Sequence, residues 1–180
     1  LGWWNYSRKF NLEYYPLLFK ERKTGTNLIE KGISISDIFK FDNIFDKFKC
    51  DVNIYMKRDI INSEYSKMFA GRKSNRYGCY SIKEAFNKIN NNLSVSNKPT
   101  FNYLYISGLD KASHLYGPNS HETLGLIKEI EDGLELLSRE QTDLTIVVTA
   151  DHGQIEMEKY IYLNQENDEN KYFYATPSID

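Results

Sequence analysis

The sequence has little of three features that would assign it to an obvious class. Its 180 residues include only two cysteines, Cys50 and Cys79, without CxxC spacing or a nearby histidine. We interpret them as unrelated thiols, since so few cysteines exclude a disulfide framework. No apolar run approaches the roughly 20 residues that a membrane span needs. The net charge is −2 and there is no basic patch, which argues against binding to nucleic acid or anionic lipid.

The start of the chain has neither a recognisable signal peptide nor an initiator methionine. No signal peptide is visible, and the first residue is Leu1 rather than methionine. Residues 1–6 resemble the middle of a longer sequence, so we expect an internal fragment. The location of the protein in the cell stays open, with the cytoplasm slightly favoured. A length of 180 residues corresponds to one domain or part of one, and the 14 tyrosines suit a half-polar core.

Apolar spacing predicts the secondary structure of the first half. A spacing of three and four predicts amphipathic helices over residues 36–48 and 81–89, with Ser36 as an N-cap. Alternating β-branched and aromatic residues predict a short strand over residues 52–56. The Asn- and Ser-rich residues 90–98 are expected to form a loop.

The second half predicts a strand, a helix and a second strand. Residues 101–106 and 145–150 are nearly continuous apolar runs, typical of strands covered on both faces. Between them, residues 119–139 have one apolar helical face, and Asn119 and Glu122 have the spacing of a capping box. This order indicates parallel strands joined by a right-handed crossover. Ligands of such sheets bind beyond the carboxyl ends of the strands. Two further short strands are expected over residues 160–163 and 171–175.

An aspartate and a histidine follow each of these two apolar runs. Asp110 and His114 come after the first, and Asp151 and His152 directly after the second. The chain has only three histidines, so two of them lie in these stretches. Carboxylate and imidazole together are typical ligands of hard-to-borderline divalent metals. The sequence therefore predicts a metal site at the carboxyl edge of the sheet.

The spacing within each pair constrains how it could bind an ion. Asp110 and His114 share one face if they lie on a helical turn. Asp151 and His152 would point to opposite faces of a strand, so they converge only if the strand has ended, and Gly153 permits such a bend. Two ions about 4 Å apart, bridged by a substrate oxyanion, would form a phosphoryl-transfer site.

Other interpretations of single residues stay open. Asp110 alone could be a turn residue or an N-cap, and His152 alone could be a hydrogen-bonded, half-buried histidine. His121 is expected to be exposed rather than a ligand, and solvent exposure is also the expectation for Lys111 and Ser113. The repeated pairing of Asp with His favours a site over these alternatives.

At these residues the chain resembles the alkaline phosphatase superfamily, and most of all its type I phosphodiesterase/nucleotide pyrophosphatase branch. That branch has an Asp-x-x-x-His-x-x-Gly-Pro-x-Ser stretch and a strand ending in Asp-His-Gly. The first is matched by Asp110, His114, Gly117, Pro118 and Ser120, and the second by Asp151, His152 and Gly153. The match covers residues 100–156.

The resemblance implies an α/β fold with a mainly parallel sheet and helices on both faces, alkaline-phosphatase-like and incomplete. Residues 1–180 would form part of one catalytic domain, with 1–97 a middle or cap-like region and 98–180 the metal-site core. It also implies two divalent ions, usually zinc, with manganese suitable too. Asp110 and His114 would bind one ion, and Asp151 and His152 the other.

The implied activity is metal-dependent hydrolysis of small phosphate esters, phosphodiesters or nucleotide pyrophosphates, through a phosphorylated Thr or Ser. The family site also needs a first Asp and the nucleophile, expected upstream of Leu1, and a later His, expected downstream of Asp180. We therefore expect no catalytic nucleophile in this chain and no activity of the chain alone. A phosphomonoesterase, sulfatase or phosphomutase of the same superfamily, or a non-catalytic binding module, remain alternatives.

Overall fold

The computed structural model describes residues 4–157. At the start of this part lies a small antiparallel sheet that the sequence did not predict. Its strands β1 (Asn5–Ser7), β2 (Leu12–Tyr15) and β3 (Lys20–Glu21) pair in that order. The sheet has an apolar cluster of its own, formed by Tyr14, Phe19, Leu28 and Ile33.

The helix predicted over residues 36–48 is wrong. The structure has only a single turn, α1 (Ile35–Ile38), and a separate 3-10 turn at Phe45–Lys47. Asn43 interrupts the helix, because its side-chain oxygen accepts a hydrogen bond from the Phe45 N–H at 2.9 Å while its amide donates to the carbonyls of Met68 and Phe69. Asparagine favours such local turns over helix interiors. Tertiary contacts, rather than a helical face, bury Phe45.

A three-stranded parallel sheet forms the centre of the described part. Its strands are β4 (Asp51–Lys57), β5 (Asn75–Cys79) and β6 (Thr100–Leu104), in the order β5-β4-β6. The strands predicted at residues 52–56 and 101–106 are confirmed, although β6 ends two residues earlier. The division between residues 97 and 98 stays a prediction, and β4 pairs with β6 across it.

Helices cover both faces of this sheet. Alternate residues of β4 point to opposite faces. Val52, Ile54 and Met56 pack toward α2 (Glu64–Ala70), and Tyr55 packs toward α3 (Ile82–Val95) and α5 (His121–Glu140). The predicted fold class, a parallel sheet with helices on both faces, is therefore confirmed. None of the helices within residues 4–157 combines the length and apolar character that crossing a membrane requires.

The predicted helix over residues 81–89 is also confirmed, but it is longer than expected. α3 continues to Val95, so most of the predicted loop over residues 90–98 is helical. Two asparagines hold this last part of the helix by side-chain contacts: Asn92 donates to the Tyr55 hydroxyl at 2.7 Å, and Asn90 accepts from Gln141 at 2.7 Å. These contacts outweigh the low helix propensity of asparagine.

Two consecutive helices follow β6. They are α4 (Gly108–Tyr116) and α5, separated by Gly117, whose φ of +95° favours glycine. α5 confirms the helix predicted over residues 119–139. Its N-cap is Ser120 rather than Asn119, because the Ser120 hydroxyl accepts the Thr123 N–H at 3.2 Å. Serine reaches this N–H as a normal N-cap does.

The strand predicted over residues 145–150 is absent from the structure. These residues have no strand assignment, and the side chains of Val147 and Val148 are 83% and 68% exposed. A strand requires a backbone partner, and within residues 4–157 this run pairs with none. The predicted crossover unit is thus incomplete in the described part of the chain. The strands expected at residues 160–163 and 171–175 lie outside it.

Candidate metal centre

The first predicted pair lies on α4, one helical turn apart. Asp110 is in the first turn and His114 in the last, and His114 Nε2 lies 3.3 Å from Asp110 Oδ1. The expectation that both side chains share one helical face is confirmed. A carboxylate in the first turn is also favoured by the partial positive charge of the helix N-terminus.

The segment after residue 150 brings His152, one member of the second pair, to the first pair. His152 Nε2 lies 3.8 Å from Asp110 Oδ1 and 3.7 Å from Asp151 Oδ2. Asp110 Oδ1 therefore faces one imidazole from each motif. Asp151 is the outermost member, with a side chain that is 90% exposed.

The imidazole of His152 is oriented by its own backbone neighbour. Its Nδ1 lies 3.0 Å from the Gly153 carbonyl oxygen. A carbonyl can only accept a hydrogen bond, so Nδ1 carries the proton. In the neutral ring this leaves the Nε2 lone pair for a ligand. The Gly153 carbonyl, and then the Asp151 and Asp110 carboxylates, raise the pKa of His152 above its usual value.

Gln154 also belongs to the cluster, although no sequence motif indicated it. Its side-chain Nε2 donates to Asp110 Oδ1 at 2.8 Å, which makes it part of the same cluster. Glu156, two residues further, lies near the turn between α4 and α5, where Asn119 Nδ2 is 3.5 Å from its carboxylate. Gln154 and Glu156 follow His152 at intervals of two residues. If side chains alternate after the Asp-His-Gly motif, this spacing predicts that both point to the same side as His152.

The donor chemistry of the cluster fits a divalent ion, and its geometry fits in part. Zinc lies about 2.0–2.2 Å from His nitrogen and carboxylate oxygen, so two ligand atoms of one tetrahedral ion are roughly 3.3 Å apart. The Asp110–His114 separation of 3.3 Å matches this value, and the His152 separations are longer. Within residues 4–157, however, no three or more His, Cys, Asp or Glu side chains are arranged to hold a metal ion.

Tyr105 lies beside the cluster, just after β6. Burial raises its pKa, and the nearby carboxylates of Asp151 and Asp110 raise it further. Tyr105 also lines a cavity of about 300 Å³, which lies between the carboxyl ends of the strands and the helices α3 and α5. Its walls include Ile82, Leu104 and Leu126.

The sequence predicted that His121, Lys111 and Ser113 would be exposed to solvent. His121 and Lys111 are exposed, as expected. Ser113, for which exposure was predicted, is buried instead. Its hydroxyl donates to the Leu109 carbonyl at 3.0 Å within α4, and this bond satisfies it inside the protein.

The fold and the two motifs together define an α/β protein with aspartate and histidine side chains gathered beyond the carboxyl end of β6. Residues 4–177 match the family described as type I phosphodiesterase / nucleotide pyrophosphatase, and the chain belongs to this family. The family is one of hydrolases that use divalent metal ions and have an alkaline-phosphatase-like fold.

One curated relative is the human (Homo sapiens) ectonucleotide pyrophosphatase/phosphodiesterase family member 1. It is 34% identical to the chain over an alignment of 82 residues, and the match covers 41% of this chain and 9% of the relative. The chain therefore matches only a small part of that protein's length. No solved structure matches the chain.

Proposed function

We propose that the protein hydrolyses phosphodiesters or nucleotide pyrophosphates with the help of two bound divalent metal ions. Membership in a hydrolase family supports the reaction class. The observation that carries the metal dependence is the convergence on Asp110 Oδ1, which faces His114 Nε2 at 3.3 Å and His152 Nε2 at 3.8 Å. The proximity of His114 follows from its position one helical turn after Asp110, whereas His152 is distant in the sequence and only the folding of the chain brings it to the same carboxylate.

In this proposal Asp110 and His114 bind one ion, and Asp151 and His152 bind the other. Zinc suits this mixture of carboxylate and imidazole, and manganese suits it as well. When bound, the ions would stabilise negative charge on the phosphate oxygens and lower the pKa of the attacking group. The protein's own contribution is orientation. The Gly153 carbonyl holds the proton of His152 on Nδ1, so that Nε2 keeps its lone pair.

The proposed reaction also needs a nucleophile. We propose a phosphorylated Thr or Ser intermediate, and no residue of this chain matches that position of the family motif. The 180-residue chain alone is therefore expected to bind zinc weakly and to lack turnover. Hydrolysis of p-nitrophenyl phosphate esters by the chain, in a metal-dependent way, would contradict this expectation.

Zinc affinity of the full 180-residue chain tests the metal site directly. The chain is titrated with zinc against a chromophoric chelator, and Asp110→Asn is compared with the wild type. We expect Asp110→Asn to weaken binding by roughly 100-fold or more, since even outer-shell changes cost 10–100-fold. Asp132→Asn is the matched control, because Asp132 is an exposed aspartate on α5 that pairs with Lys128. Equal affinities of Asp110→Asn and wild type would refute the proposed site.

The substrate class is tested with a protein that contains this chain together with the proposed nucleophile. Hydrolysis rates of bis-p-nitrophenyl phosphate, p-nitrophenyl phosphate and p-nitrophenyl sulfate are compared at equal concentrations. The proposal expects the diester to be the best substrate. A preference for the monoester would instead indicate a phosphomonoesterase, and a preference for the sulfate would indicate a sulfatase.

A further inference from the structure

Gln154 makes the shortest side-chain contact to the carboxylate at the centre of the cluster. Its Nε2 is 2.8 Å from Asp110 Oδ1, whereas the Nε2 atoms of His114 and His152 are 3.3 and 3.8 Å away. A separation of 2.8 Å is a normal hydrogen bond, and the two longer separations are not. Gln154 therefore defines the direction of this carboxylate more tightly than either histidine does.

The backbone after the Asp-His-Gly motif places Gln154 there by alternation. Its side chain and those of His152 and Glu156 all approach α4 or the turn that follows it. These three residues are spaced by two, and contacts at every second residue are the pattern that alternating side chains produce. Gln154 is part-buried, while every other residue from 145 to 157 is exposed. The one part-buried residue of this segment thus has an uncharged polar side chain.

We propose that Gln154 is a positioning residue that aims the Asp110 carboxylate at the metal ion. This inference rests on the proposed function, because it assumes that Asp110 is a ligand. A carboxylate has about four acceptor sites on its two oxygens, so an amide on Oδ1 leaves sites for an ion. An amide is also neutral, and it orients the ligand without the positive charge by which Lys or Arg would repel an ion. Outer-shell hydrogen bonds of this kind orient ligands in metal sites generally.

The hydrogen bond also joins the two halves of the site. Asp110 belongs to the first motif, on α4, and Gln154 belongs to the exposed segment that carries the second motif. Residues 145–150 have no strand partner within the described part of the chain, so a sheet does not hold that segment in place there. The hydrogen bond between Gln154 and Asp110 connects the segment to α4. It thereby constrains the distance between the two proposed ligand pairs.

Zinc affinity of the full chain, measured by competition with a chromophoric chelator, tests the proposal. Gln154→Met keeps the length of the side chain and removes the donor. We expect it to weaken zinc binding by roughly 10- to 100-fold. Gln141→Met is the matched control, since Gln141 is also part-buried and donates to Asn90 and Ser94, away from the cluster. Its zinc affinity should equal that of the wild type.

Cobalt substitution supplies a second readout that a merely structural role would not change. With Co²⁺ bound, the visible absorption bands of Gln154→Met should shift relative to wild type, because the Asp110 ligand is held differently. The bands of Gln141→Met should not shift. Unchanged zinc affinity and unchanged bands in Gln154→Met would overturn the role of Gln154.

Asp110→Asn, measured in the same series, separates the two levels of failure. If Asp110→Asn weakens binding and Gln154→Met does not, the metal site stands and only the positioning role is wrong. If neither substitution weakens binding, both the proposed metal site and the proposed role of Gln154 are wrong.

Discussion

The side-chain amide of Asn53 donates a hydrogen bond to Asn102 Oδ1 across strands β4 and β6, over a distance of 3.0 Å. Asn75 on β5 donates in turn to Asn53 Oδ1, also at 3.0 Å. The three asparagines lie at one level of the sheet, in register. A slip of one residue would turn these side chains to the opposite face and break the row. The row therefore stabilises the register between β4 and β6. This register determines where β6 ends, and hence where α4 and Asp110 begin after it.

Replacing the central asparagine should destabilise the protein. Asn53 is buried, and Asn53→Ala would leave Asn102 Oδ1 without this donor inside the sheet. We expect a loss of about 1–3 kcal/mol in the free energy of unfolding, measured by urea denaturation. Asn97→Ala is the comparison, because Asn97 is exposed after α3 and lies outside this row of hydrogen bonds. A loss from Asn97→Ala as large as that from Asn53→Ala would contradict this account.

The contact between α3 and α5 depends on the absence of a side chain at one position. A Cβ atom on Gly133 would overlap the Phe86 ring, so Gly133→Ala forces the ring or the helices apart. Overpacking of this kind costs about 1–3 kcal/mol. Gly125→Ala on the same helix meets no atom within 4 Å, and should stabilise by up to about 1 kcal/mol through helix propensity. Thermal unfolding of both variants tests the pair, and a neutral Gly133→Ala would show that the helices separate at little cost.

Stability should fall at alkaline pH because of Tyr55. Burial raises the pKa of its hydroxyl from 10.0 to about 12, although the hydrogen bond from Asn92 partly offsets this effect. Between these two values the folded protein holds a proton that the unfolded chain has lost. The contribution of Tyr55 is thus complete below pH 10 and declines as the pH rises toward 12.

Urea denaturation at a series of pH values across this window measures the effect. Tyr55→Phe should show a weaker decline than the wild type, since it has no hydroxyl to ionise. Tyr80→Phe, at an exposed position, should follow the wild type. If the wild type and Tyr55→Phe decline in parallel, another group is responsible.

Zinc should raise the thermal stability of the chain through His114. A ligand that binds only the folded state adds about 2.7 kcal/mol at 100 times its Kd. His114→Gln should lose most of this gain, whereas His121→Gln, an exposed histidine in the first turn of α5, should keep it. Melting temperatures with zinc and then with EDTA provide the measurement. A gain that survives in His114→Gln would place the zinc elsewhere.

Several elements could be predicted from the sequence because their patterns are local. The β-branched and aromatic run of β4 and the apolar face of α5 each specify one kind of element within a few residues. The same holds for Asp110 and His114, since a spacing of four on a helical turn is enough to put both on one face. The order of predicted strands and helices indicated a parallel sheet, and the family resemblance implied helices on both of its faces.

Other predictions failed where distant residues decide the outcome. The apolar spacing of residues 36–48 is helical, yet Asn43 bonds to the backbone at Met68 and Phe69 and interrupts the helix. Residues 145–150 have the composition of a strand, but composition cannot supply a hydrogen-bonding partner. Asn90 and Asn92 suggested a loop, and their contacts with Gln141 and Tyr55 keep them helical.

The sequence by itself determined which donor groups the chain offers, namely two Asp/His pairs after apolar runs, and the class of fold that carries them. Only the tertiary structure decided how the pairs meet. It brought His152 and Gln154 to the Asp110 carboxylate, and left Asp151 at the exposed margin. Local spacing determines which side chains an element presents, whereas the distance between two elements depends on packing contacts among residues far apart in the chain.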